Sequence, residues 1–99
     1  MEIYKTELFV RWLDGLKDLR ARARIQTRIE RLIEGNPGDV KPVGGGISEM
    51  RIHYGPGYRV YFTRRGQELI LLLAGGDKSS QSDDIQTALK LIKNLPTSL

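Results

Sequence analysis

Glu49-Met50-Arg51-Ile52-His53-Tyr54, Gly55-Pro56-Gly57 and Tyr58-Arg59-Val60-Tyr61-Phe62-Thr63 form one continuous stretch, and its reading decides the fold. Two alternating runs around a glycine-containing turn predict a β-hairpin. A second turn, Arg64-Arg65-Gly66-Gln67, leads into Glu68-Leu69-Ile70-Leu71-Leu72-Leu73-Ala74-Gly75-Gly76-Asp77-Lys78, a third strand. Side chains alternate along a strand, so a turn centred on Pro56 puts Met50, Ile52, Tyr54, Tyr58, Val60 and Phe62 on one face. Glu49, Arg51, His53, Arg59, Tyr61 and Thr63 take the other, with His53 across from Arg59 and Arg51 across from Tyr61. The first face predicts a core. The second predicts an open cationic and aromatic platform. Leu69 to Leu73 is continuously apolar, as expected of a strand covered on both faces.

Upstream of this stretch, Glu2 to Lys5 alternates weakly and predicts a short strand. Thr6 is a suitable N-cap with Glu7 in the first turn. Leu8, Phe9, Trp12, Leu13 and Leu16 then recur at helical spacing. Asp18 caps a second helix that runs to about Glu34, with Ala21, Ile25, Ile29, Leu32 and Ile33 as its apolar stripe. Gly35-Asn36-Pro37-Gly38 stops it. The two helices predict a hairpin that covers one face of the sheet. Asp39 to Gly46 reads as a connector. Downstream, Ser80 or Ser82 caps a final helix, Asp83 and Asp84 suit its N-terminal dipole, and Ile85, Ala88, Leu89 and Ile92 form its stripe. Pro96 is expected to end the ordered chain. Strand, two helices, three antiparallel strands and a helix make an α+β fold, a helical hairpin on a small antiparallel sheet with a C-terminal helix. Residues 1–99 are expected to be one domain.

Composition excludes several classes of function. The 99 residues contain no cysteine, which rules out a disulfide framework or a thiolate zinc site. His53 is the sole histidine, which rules out a multi-histidine metal site; neither metal nor cofactor is expected. No apolar run reaches the roughly 18 residues that span a bilayer. Met1 to Lys5 lacks a signal-peptide pattern, so a cytoplasmic location without membrane contact is expected. A formal net charge of +4 and a pI of about 9.6 favour a polyanion or an acidic protein as partner. Gly75-Gly76-Asp77-Lys78-Ser79 follows an apolar strand but fails the phosphate-loop pattern, because Asp77 stands where a glycine must precede the lysine. A single phosphate held by backbone N–H groups and Lys78 remains open there, against a plain strand-to-helix turn.

The predicted platform carries groups that suit phosphodiester cleavage in RNA. That reaction needs a base for the 2′-OH proton, an acid for the leaving oxygen, and cations for the charge that develops on phosphorus. His53 suits either proton-transfer role, because a free imidazole exchanges its proton near neutral pH. Arg51 and Arg59 suit phosphate through their planar forks. Tyr61 and its neighbours could stack on an unpaired base. The second helix adds Arg20, Arg22 and Arg24 as candidate RNA contacts, with Arg28 and Arg31 beyond them. Each feature has a plainer alternative: a solvated helix face, ordinary sheet tyrosines, a surface histidine, or an Arg51–Glu49 pair.

The run from Glu49 to Phe62, followed by Leu71-Leu72-Leu73 and Gly75-Gly76-Asp77-Lys78-Ser79, resembles the RelE/ParE toxin superfamily. Within it the chain resembles the HigB-like branch of addiction-module killer proteins. The resemblance covers nearly the whole chain, including the arginine-rich helix. It implies the toxin of a type II toxin–antitoxin pair, a ribosome-dependent endoribonuclease that cuts messenger RNA and is neutralised by an antitoxin, expected to be a small helix-turn-helix protein. ParE-like members share the fold and instead inhibit DNA gyrase. Arg59 matches the family's strand arginine, Arg51 the preceding basic position, and Lys78 the basic residue after the last strand. The family's C-terminal tyrosine or histidine has no counterpart after Lys78, which makes His53 the substitute candidate. The implied catalytic set is Arg51, His53, Arg59 and Lys78.

Overall fold

The computed structural model describes residues 1–95, so the predicted stop at Pro96 lies outside the described residues. The elements are β1 (Glu2–Lys5), α1 (Glu7–Asp14), α2 (Leu19–Ile33), β2 (Val40–Gly44), β3 (Ile47–Ile52), β4 (Tyr58–Arg65), β5 (Leu69–Asp77) and α3 (Gln81–Lys93), with a 3-10 turn over Lys78–Ser80. They build the predicted α+β fold around a sheet of order β1-β5-β4-β3-β2. β1 is parallel to β5 and the remaining pairs are antiparallel.

Two predictions about the sheet are corrected. The Asp39–Gly46 connector contains an edge strand, β2, in which Val40 pairs with Met50 and Lys41 with Glu49. Pro42 masks this strand from sequence reading, but an edge strand tolerates the missing N–H. The hairpin register is also offset by two residues. Arg51 faces Arg59 and Glu49 faces Tyr61, because β3 ends at Ile52 and the connection takes in His53 to Gly57. A two-residue offset preserves the faces. Met50, Ile52, Val60 and Phe62 do share one core, closed by Phe9 and Leu13 of α1 and by Ile25, Ile29 and Leu32 of α2.

The opposite face is not open. Ile47, Tyr61, Leu71, Leu73, Ala74 and Ala88 form a second buried cluster beneath α3, with Ile85, Leu89 and Ile92 against it. The amphipathic stripe of α3 needs an apolar partner. The partner is the face whose β4 residues look polar but whose β5 residues are leucines. A bulge adapts β5 to this packing. Tyr61 pairs with Ala74 and Phe62 with Leu72, leaving Leu73 as the extra residue. Thr6 anchors the bulge and starts α1 together. Its hydroxyl donates to the Leu73 carbonyl at 2.7 Å and accepts from the Phe9 N–H at 3.1 Å.

Beyond the bulge, the glycine pair lets both helical layers approach the strand. A Cβ on Gly75 would run into the Trp12 ring from α1, and one on Gly76 into Asp84 and Ser80 beside α3. Steric fit accounts for both glycines. Among the described residues no helix is long and apolar enough to cross a membrane.

Candidate functional site

Adjacent strands bring three of the four predicted catalytic residues to one end of the sheet. Arg51 on β3 faces Arg59 on β4, and Arg59 faces Gly76 on β5. Lys78 leaves the end of β5 exposed, its Cβ beside Gly57 of the hairpin turn. Next to it, Asp77 caps the 3-10 turn, accepting from the Ser79 N–H at 2.8 Å and the Ser79 hydroxyl at 2.5 Å. One backbone N–H of this turn, that of Ser79, is therefore taken by the chain's own carboxylate rather than free for a phosphate.

Glu49, which sequence reading left as a simple partner for Arg51, holds this end of the sheet together. Its side chain is 0% exposed. It accepts from Arg51 Nε at 2.9 Å, Arg59 Nη1 at 3.2 Å, the Tyr61 hydroxyl at 3.1 Å and Gln81 Nε2 at 2.8 Å. Burial alone would push the Glu49 carboxyl upward, but the bonds from Arg51, Gln81 and Tyr61 and the charge of Arg59 hold it below its ordinary value. One carboxylate serves two guanidinium groups, so the cluster keeps an excess positive charge. The Arg51 side chain is 30% exposed and that of Arg59 12% exposed, with Arg59 Nε buried and unpartnered among the described residues.

Tyr61 corrects the expectation of an open stacking platform. It is fully buried under α3 and has no free ring face to offer a base. Burial and the adjacent Glu49 charge raise the pKa of its phenol, so it stays protonated and serves as a donor.

His53 and the α2 arginines gather elsewhere, on the side of the sheet covered by the helical hairpin. His53 lies one residue beyond β3, is 74% exposed, and its Nε2 is 2.5 Å from Asp39 Oδ2. That contact, led by the His53 hydrogen bond, lowers the Asp39 pKa. Arg24 lies 4.7 Å above the centroid of the Tyr54 ring. Arg22 is 3.6 Å from Asp14, and Arg20 is exposed in the first turn of α2. Between α2 and the end of β3 opens a cleft of about 420 Å³ lined by Arg24, Thr27, Arg28, Arg31, Ile52 and His53. Arg28 is fixed in it: Nη1 donates to the Arg51 carbonyl at 2.6 Å and Nη2 to the Pro37 carbonyl at 3.0 Å. Sequence reading missed this cleft because Arg28 lay on a helix face that looked merely solvated.

A five-stranded sheet with a helical hairpin on one face, a single helix on the other and paired arginines at one end defines a RelE-like α+β class. The chain superposes on E. coli toxin RelE, solved as a double-arginine mutant in the free state, with a TM-score of 0.71 over 91% of this chain and 95% of that one, at 16% identity. The model of the phage-derived Gp49-like protein family (DUF891) matches residues 11–94, and the chain belongs to that family. A Haemophilus influenzae relative described as an uncharacterized protein is 50% identical over 95 residues, 96% of each chain.

Proposed function

We propose that this protein is the toxin of a type II toxin–antitoxin pair, of the HigB-like branch, and that it cuts messenger RNA on the ribosome in the cytoplasm. The observation that carries this reading is the Arg51–Arg59 pair, with its excess positive charge, at the end of a sheet that shares its fold with toxin RelE. Membership in the Gp49-like family supports it. In this reading Arg51 and Arg59 bind the scissile phosphate and stabilise the charge that grows on it. The exposed Lys78 adds positive charge and carries a proton to the leaving oxygen. His53, two residues beyond Arg51, takes the 2′-OH proton, and Asp39 then stabilises the imidazolium. Arg20, Arg22 and Arg24 give RNA a second line of cations. The neutralising partner is a small helix-turn-helix antitoxin whose acidic surface makes association fast and salt-sensitive.

Messenger RNA cleavage on programmed ribosomes tests the proposal, with circular dichroism as the fold control. Arg59→Lys keeps a charge near Glu49 but loses the fork. Arg51→Ala removes the more exposed guanidinium. Each is expected to slow cleavage about a hundredfold, the effect of losing about 3 kcal/mol of transition-state stabilisation. Cleavage at the wild-type rate in both variants removes the phosphate role. A wild type that cuts no RNA but traps gyrase on DNA would replace the nuclease reading with the ParE-like one.

A further inference from the structure

The cleft beside α2 contains a cation, Arg28, that the fold orients through backbone carbonyls and neutralises only in part. Arg28 is bonded to the carbonyls of Arg51 and Pro37, which fix the guanidinium and leave its charge intact. Burial lowers its pKa, so an anion brought into the cleft would regain favourable charge contact. Arg24 and Arg31 stand on the same helix face within about two turns, on the order of 10 Å at 1.5 Å per residue. Neither makes an ion pair among the described residues. Asp39, at the rim, is hydrogen-bonded to His53 and shares its charge with Arg51 and Arg28, so it offsets only part of the positive charge of the cleft.

The remainder of the cleft favours a protein over a nucleic acid. Its apolar lining comes from Ile52, Ala23 and the Thr27 methyl, enough to seat one aliphatic side chain. Recognition of single strands relies on aromatic faces for bases. Here the nearest aromatic, Tyr54, is already capped by Arg24. Leu19, 71% exposed at the start of the same helix, adds an apolar contact that a protein partner would cover.

We propose that the cleft between α2 and the end of β3 is a docking site for an acidic protein segment, which places carboxylates on Arg24, Arg28 and Arg31 and one aliphatic side chain against Ala23, Thr27 and Ile52. Arg51 and Arg59, the proposed phosphate-binding pair, project to the α3 side of the sheet, away from the cleft, while Arg24 and the rim residue His53 are shared by the two proposals.

The test is selection of a random-peptide display library on the wild-type protein, followed by anisotropy titration of the winners. Enriched peptides should carry several Asp or Glu residues around an aliphatic residue. Their affinity should fall about tenfold or more in Thr27→Trp, which fills the cleft, and in Arg31→Glu, in line with losing a charge-assisted contact. Both positions are exposed, so the fold should survive, and Arg31→Glu alone suffices should the tryptophan variant unfold. No enrichment, winners without acidic residues, or winners indifferent to both variants would overturn the proposal. So would a short single-stranded RNA whose binding falls in these variants while peptide binding holds, since that outcome assigns the cleft to phosphate.

Discussion

Replacing Glu49 is the sharpest test of how the arginine end of the sheet is held. Among the described residues, Glu49→Ala removes the one carboxylate that pairs with Arg59, whose side chain is 12% exposed and already carries an unpartnered Nε. Breaking one side of a buried ion pair costs about 3–5 kcal/mol, because the surviving charge stays desolvated. Arg51, at 30% exposure, can turn to water, so the lower end is expected, about 3 kcal/mol. Glu49→Gln keeps the shape but turns an amide NH₂ toward donors, for a loss of about 2 kcal/mol. Against a typical total of about 5–15 kcal/mol, either loss is easily read by urea denaturation followed by circular dichroism. The pH dependence has a definite sign. The Glu49 pKa is lowered in the fold, so its contribution is present above the unfolded value near 4.5 and is lost as the pH falls through the folded value. The gap between wild type and Glu49→Gln should therefore narrow below about pH 4.5. Removing both charges in Glu49→Leu/Arg59→Met should cost less than Glu49→Ala alone. A loss below about 1 kcal/mol in Glu49→Ala, or a gap that does not narrow in acid, would refute the account of a carboxylate bridging two guanidinium groups.

Two further substitutions separate structural from functional readings. Tyr61→Phe deletes a buried donor to Glu49 and should lower stability by about 1–2 kcal/mol, while RNA binding in a filter assay stays at the wild-type level. Gly75→Ala forces a methyl group into the Trp12 ring and should cost about 1–3 kcal/mol with a lower melting temperature, although the backbone dihedral is ordinary for alanine.

Much of the fold was legible because its signals are local. Thr6 and Asp18 cap their helices as the capping residue types predict, and the apolar stripes lie on the buried faces except for Leu8 of α1, which is 44% exposed. Hairpin parity predicted the Met50, Ile52, Val60 and Phe62 face. What sequence did not reveal depends on pairing at a distance. β2 was hidden by Pro42, and the register by a connection that begins at His53. The platform reading failed because alternation alone assigns Glu49, Arg51 and Tyr61 to solvent. Their exposure is set by α3, later in the chain, as the Gln81–Glu49 bond, with its sequence separation of 32, makes plain. The α2 cleft was equally illegible, since its floor joins Ile52 to a helix that ends before β2 begins.

The two arginine clusters follow one rule of construction on opposite faces of the sheet. Arg59 shares a single carboxylate with Arg51, and Arg28 is hydrogen-bonded to backbone carbonyl oxygens. In each case the fold positions a guanidinium with less negative charge than would neutralise it. A chain of net charge +4 could instead scatter its excess over flexible surface lysines, where solvent and salt screen it. Fixing the excess on partly desolvated, oriented forks makes the field local and directional. That arrangement also sets different consequences for mutation. Loss of Arg59 takes one of four donors from a buried carboxylate and costs stability as well as charge. Loss of the exposed Arg31 removes charge alone, so a defect there should appear in binding while the folded state keeps its stability, whereas loss of Arg24 also removes its contact with the Tyr54 ring.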